Sequence, residues 1–147
     1  RARAVDLRSL QSTGISVNDE LISTFNDFKL KRTEFKFLVM KIVGDEVVLD
    51  KGVGKEVAFD AFATAELTAE PAYIAIDFDY KTTDDRDADK LILLSWIPDD
   101  AKIKMKMKYA GTKEAVKSAL VGIALNINAT DRSEASIDVF NAECNKV

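Results

Sequence analysis

The sequence contains no histidine. An imidazole base, an imidazole metal ligand and a switch titrating near neutrality are therefore excluded, and with them Ser-His and Cys-His catalysis. One cysteine, Cys144, permits no internal disulfide, which fits a reducing compartment. Prolines number two and glycines six, and no internal repeat or low-complexity segment interrupts the chain. No apolar run approaches the ~18–20 residues of a membrane span, and no signal-peptide core is visible. Without secretion, the glycosylation pattern Asn128-Ala129-Thr130 carries no meaning. These absences predict a cytoplasmic protein that is not integral to a membrane.

What is present is one ordinary domain. At 147 residues, 47% hydrophobic and 31% charged, the chain can bury a core without staples. The net charge of −4 argues against a nucleic-acid partner. Charge is nevertheless sorted along the chain: residues 101–120 hold six lysines and one glutamate, while residues 77–89 hold six aspartates against Lys81 and Arg86. Sorted charge points to partners.

Residues 1–12 show no sustained period and carry three arginines against Asp6, as expected of a flexible tail or an expression remnant. Ser16 and Asp19 resemble a capping box, with Val17, Leu21, Phe25 and Phe28 at amphipathic helical spacing. Phe35–Ile42 and Glu46–Asp50 read as strands joined at Gly44-Asp45. Phe59, Phe62 and Ala63 suggest a short helix before Pro71, and Ala72–Tyr80 and Leu91–Ile97 read as two further strands. Between those strands, Asp85-x-Asp87-x-Asp89 has the spacing that opens a calcium loop. Lys90 and Trp96 occupy the positions where such a loop needs Gly and Glu, so a solvated hairpin tip over 81–89 is expected, with no metal and no cofactor. Lys113–Leu120 forms a second helical pattern stopped by Gly122. Ala124–Ala129 reads as a short strand, and Ile137, Phe140 and Cys144 as a closing helix.

The chain is organised around residues 96–120, WIPDDAKIKMKMKYAGTKEAVKSAL. Pro98 halts a strand ladder, and Asp99 and Asp100 supply acceptors suited to a helix start. Lys102, Lys104, Lys106 and Lys108 then repel one another, an arrangement that makes sense if an anionic partner meets them. Ile103, Met105, Met107 and Tyr109 alternate with the lysines as in a strand, whereas length, composition and the acidic start favour a helix. On a helix, Ile103, Met107 and Ala110 share one side. Core packing would explain Met107 as readily as binding does, and Met105 less readily, since methionine also suits adaptable binding surfaces.

The order Trp96, Pro98, Asp99, Ala101, Lys104, Lys106, Met107, Tyr109, Ala110, Gly111, Thr112, Lys113, Glu114, Ala115 resembles the actin-depolymerising factor/cofilin family. Phe25-Asn26-Asp27, the strand Tyr73–Tyr80 and Ala129-Thr130-Asp131 extend the resemblance over residues 13–147, which would form one ADF-homology domain. It implies an α+β fold, a five-stranded mixed sheet sandwiched by helices in a gelsolin-like three-layer architecture. It implies no enzyme, but a monomeric protein of the cytoplasm and cytoskeleton that binds actin monomers and filaments, prefers the ADP form, and promotes depolymerisation and severing. The site common to monomer and filament would map to Thr13, Gly14, Ile15, Lys104, Met105, Lys106 and Met107. Lys104 and Lys106 could also meet phosphoinositide head groups, and Thr13, with Ser12 beside it, occupies the place of the family's phosphorylatable serine. The filament-only candidates are Arg86 and Lys90; Asn141 and Glu143 stand where the family carries basic residues. Two alternatives compete. One is a coactosin-like or twinfilin-like module that binds or sequesters actin without efficient severing. The other is an unrelated small enzyme, for which no nucleophile–base pair is present.

Overall fold

A computed structural model describes residues 14–146. The leader 1–12 and the candidates Ser12 and Thr13 lie outside the described residues.

The elements follow in the order β1 (Ser16–Val17), α1 (Asp19–Lys29), β2 (Phe35–Val43), β3 (Glu46–Gly54), α2 (Phe59–Glu66), β4 (Ala72–Lys81), β5 (Asp87–Trp96), α3 (Ile103–Ala119), β6 (Leu125–Ala129), a 3-10 turn (Arg132–Glu134) and α4 (Ile137–Cys144). The strands form one mixed sheet in the order β1-β3-β2-β4-β5-β6, with β1·β3 and β5·β6 parallel and the remaining pairs antiparallel.

The inner strands are continuous apolar runs because both faces are covered. Alternation along β4 separates two cores. Ile74 and Ile76 join Phe37, Val39, Ile92 and Leu94 under α2 and α4, where Phe62 stacks on Phe37 at 3.9 Å. Tyr73 and Ala75 join Leu38, Met40 and Leu93 under α1 and α3, which contribute Leu21, Phe25, Phe28, Tyr109, Val116 and Leu120. The three-layer α+β architecture is as expected.

Four local expectations are corrected. The sheet has six strands rather than five. Ser16-Val17 does not open a helix but pairs with β3, the Ser16 amide donating to the Asp45 carbonyl at 3.0 Å and the Asn18 amide to that of Val47 at 2.9 Å. The capping role passes to Asn18, whose side-chain oxygen accepts from the amides of Glu20 and Leu21. The acidic hairpin tip is shorter than 81–89, because the β4–β5 ladder runs out to Lys81 and Asp87. The two helical patterns of the central stretch are one helix, Ile103–Ala119, which Asp99 and Asp100 do not cap. Its N-cap position falls to Lys102, whose side chain makes no capping bond.

Candidate functional site

Helix α3 is fixed to the sheet at its middle and free at its start. Tyr109 is the fixing point: its hydroxyl accepts from the Ile42 amide at 2.9 Å, and its carbonyl accepts a short hydrogen bond from the Tyr73 hydroxyl. Burial pushes both phenols above their usual range, so neither ionises at physiological pH. Thr112 and Val116 follow on the same inward face, with Met105 partly buried one turn earlier.

The 3.6-residue period then decides what faces water. Ile103 is 74% exposed and Met107 69% exposed, with Lys104 and Ala110 exposed beside them. Ile103, Met107 and Ala110 do share a side, and it is the solvent side. Met107, for which core and contact stood equally open, stands out, and Met105, for which contact was favoured, packs on the core. Two large apolar side chains presented to water one turn apart, flanked by ammonium groups, form an exposed apolar and cationic stripe rather than a core face.

The charge of this end is left uncompensated. The first turn of α3 holds no acid, and the ammonium groups of Lys102, Lys104 and Lys108 have no carboxylate partner among the described residues. Lys106 is half-buried and donates to the Asp99 carbonyl at 3.1 Å. Lysines at a helix N-terminus add to the positive end of the macrodipole, so the potential here attracts anions.

Gly14 and Ile15 enter along the same flank, since β1 lies beside α3. Gly14 takes φ 77, a left-handed conformation that favours glycine, and nothing lies within 4 Å of where a Cβ would stand. Ile15 is buried against the α3-side core. Of the residues the sequence nominated for this surface, Gly14, Lys104 and Met107 are outward, Met105 and Ile15 are inward, and Lys106 is intermediate. Ile103 was not nominated, although its spacing to Met107 carried the signal.

The second candidate surface lies at the other end of the sheet. Strand β5 runs from Asp87 to Trp96, about 30 Å at the usual rise per residue, and α3 starts beyond Trp96. At the Asp87 end each candidate cation already has an internal partner. Arg86 Nε lies 2.9 Å from Asp84, and Lys81 lies 2.7 Å from Asp87. Lys90 Nζ donates to the Cys144 carbonyl at 2.9 Å and stands 5.9 Å from the Tyr80 ring centroid. Lys146 on the closing segment pairs with Glu143 at 2.6 Å. The adjoining groove, about 860 Å³, is lined by Asp79, Lys81, Asp87, Asp89, Asn141 and Asn145 among others, so its rim carries three carboxylates against one ammonium, which already pairs with Asp87.

Comparison with known proteins matches residues 14–145 to the family described as cofilin/tropomyosin-type actin-binding protein. The chain is similar to actin-depolymerizing factor 2 of Arabidopsis thaliana, 34% identical over 134 residues, covering 91% of this chain and 97% of that one. It is 33% identical over 138 residues to cofilin-1A of Dictyostelium discoideum, covering 92% and 99% of the respective chains. Among solved structures, a cofilin from Streptomyces griseoflavus superimposes with a TM-score of 0.79 at 31% identity, over 88% of this chain and 96% of that one. In the described residues no helix is long and apolar enough to cross a membrane.

Proposed function

The chain belongs to the cofilin/tropomyosin-type family of actin-binding proteins, and from that premise we propose that it binds actin monomers and filaments and promotes filament depolymerisation. The observation that carries the assignment to a surface is the stripe Ile103–Lys104–Met107 at the uncapped start of α3, apolar and cationic at once. Apolar contact supplies affinity, and unpaired ammonium groups supply complementarity to an acidic partner. The contact surface consists of that stripe with Lys106 and Met105 behind it, and of Gly14 and Ile15 along the flank of α3, with Thr13 joining them as their neighbour in sequence. The protein acts as a monomer in the cytoplasm, on the cytoskeleton, and prefers ADP-actin. Lys104 and Lys106 also meet phosphoinositide head groups, which compete with actin for the same charge.

A second reading draws support from the other end of the sheet: binding and sequestration of monomers with inefficient severing. Severing requires two surfaces, because the protein has to bridge neighbouring subunits. Here Arg86, Lys81 and Lys90 are all engaged internally beside an acidic groove. Co-sedimentation separates the readings, since monomer sequestration moves actin into the supernatant without decorating the pellet. Counting breaks per filament length by fluorescence microscopy completes the test. Absence of binding to either form of actin would defeat both readings.

A further inference from the structure

The two faces of the sheet are covered unequally. On one face α1 and α3 hold 11 and 17 residues. On the other, α2 and α4 hold 8 residues each, about 12 Å of helix apiece at the usual rise. Strand β4, 10 residues long, spans about 33 Å beneath them. Two short helices do not close that face. A cleft of about 220 Å³ remains where the starts of α2 and α4 overhang β2 and β4.

The walls of the cleft are apolar: Phe37, Ile76 and Phe78 from the sheet, Val57 and Phe59 from the entry into α2, and Ile137 from α4. Phe59 is seated by its neighbours, edge-on to Phe140 at 5.4 Å and 6.4 Å from Phe37. That packing still leaves Val57 and Phe59 half-buried and Ile137 42% exposed. Apolar side chains left wet around a concave site are the surface a small apolar guest covers. The volume suits one or two fused rings, since a cavity of ~150 Å³ already admits benzene.

The rim is polar, and its charge is not balanced. Lys36 and Asp79 stand there as a long pair at 3.6 Å. Lys55 stands there too, without a carboxylate partner among the described residues. Its neighbour Glu56 folds its carboxylate back over Gly54, where a Cβ would collide with it. The acids of the adjoining groove are engaged as well, Asp87 with Lys81 and Asp89 with Lys31. The Asn141 side chain reaches the same rim and makes no hydrogen bond among the described residues. An unpaired ammonium and a free amide donor at the mouth of an aromatic cleft complement a carboxylate.

We propose that this cleft binds a small aromatic carboxylate, with its rings among Phe37, Phe59 and Phe78 and its carboxylate at the mouth on Lys55 and Asn141. Aromatic rings fit better than an alkyl chain, because three phenylalanine walls offer faces and edges to their quadrupole. An anion fits better than a cation, because the rim holds two ammonium groups against the carboxylate of Asp79 alone. The volume leaves no room for a peptide. The cleft belongs to the core under α2 and α4, on the face of the sheet away from α3, so the inference stands independently of the actin reading.

The test is a titration of the methyl-labelled protein with 2-naphthoate, followed by NMR, with 2-naphthylmethylammonium and acetate as parallel arms. A ligand of about thirteen non-hydrogen atoms at ordinary efficiency gives a dissociation constant on the order of 10⁻⁴–10⁻³ M. The methyl signals of Val57, Ile76 and Ile137 move saturably under the ring current of the bound naphthalene, while those of Ile103 and Met107 stay in place. The ammonium probe binds about fivefold more weakly, on the scale of a partly exposed charge pair. Lys55→Glu changes an exposed side chain, keeps the melting temperature and reverses the preference between the two probes. Lys55→Gln removes the charge without adding one, and there the two probes bind alike. Shifts that never saturate, that centre on Ile103 and Met107, or that acetate reproduces overturn the proposal. So does a preference for the anion that survives in both Lys55 variants.

Discussion

Replacing Lys104 and Lys106 by alanine separates binding from folding, because the two effects differ in sign or in size. In the fold, Lys104 faces Lys108 and Lys102 faces Lys106 at i,i+4, each like-charge pair costing about 0.2–0.5 kcal/mol. A cation in the first turn of a helix opposes the macrodipole by roughly 0.3–1 kcal/mol. Against this stands one lost hydrogen bond, from Lys106 Nζ to the Asp99 carbonyl at 3.1 Å. Partly exposed, it contributes about 0.5–1.5 kcal/mol net. The terms nearly cancel, so the double variant melts within roughly 3 °C of the wild type. Binding has no such compensation. Two ammonium groups removed from a contact with an acidic partner cost about 2–4 kcal/mol, on the order of 30- to 1000-fold in affinity. The assay pairs a titration of fluorescently labelled ADP-actin monomers with a thermal melt followed by circular dichroism. An unchanged affinity refutes the surface assignment. A lost affinity accompanied by a melting temperature lower by many degrees refutes the account of the lysines as solvent-facing contacts.

Thr13→Glu, next to the exposed Gly14, places negative charge beside an acidic partner and weakens actin binding measured by the same titration; an unchanged affinity excludes Thr13 from the contact. Asp87→Lys, Ala88→Arg and Glu143→Arg together free Lys81 and Lys146 from their ion pairs and reverse the acidic rim. Filament affinity and severing rise while monomer affinity holds, and a triple variant with unchanged break counts contradicts the two-surface account. Stability depends on pH only at the extremes. Asp89 is held below its usual range by its hydrogen bond to Lys31, so its contribution is full above pH ~4 and disappears as pH falls through its folded value. Burial holds Tyr73 and Tyr109 above their usual range, so theirs is full below pH ~10 and disappears as pH rises further. With no histidine, neither melting temperature nor intrinsic actin binding changes between pH 6 and 8, as melts and titrations in matched buffers would show, with actin's own titration controlled against a histidine-bearing relative.

Local pattern carried most of the architecture, and its failures have identifiable causes. The buried strands, α1 and the Gly44-Asp45 hairpin were legible because their residues satisfy propensity and period together. Val17 was not: its helical spacing to Leu21 is real, but the backbone of Ser16 and Asn18 finds partners on β3, about thirty residues away. The exposed stripe of α3 was half legible. Apolar residues lie on both sides of α3, so periodicity gives two faces without saying which is wet. Tyr109, anchored to Ile42 and Tyr73, decides it, turning Met105 inward and Met107 outward. Lys90 illustrates the opposite limit. Its position in the sequence suggests a free cation, and only the fold shows it donating to Cys144, 54 residues later. Lys31 is similar: its ion pairs to Asp77, 46 residues later, and to Asp89 of the same hairpin left no trace in spacing.

The same helix has a part in how the molecule closes. Strands β2 with β3, and β4 with β5, are hairpins that form from neighbours in sequence. Strand β6 is different, because it lies parallel to β5 and is reached only through the α3 crossover. The sheet therefore acquires its last strand only once the α3 crossover has been spanned. A partner that grips the outer stripe of α3 clamps this seam from outside, and slower amide exchange along Leu125–Ala129, remote in sequence from any contact, is how that grip becomes visible.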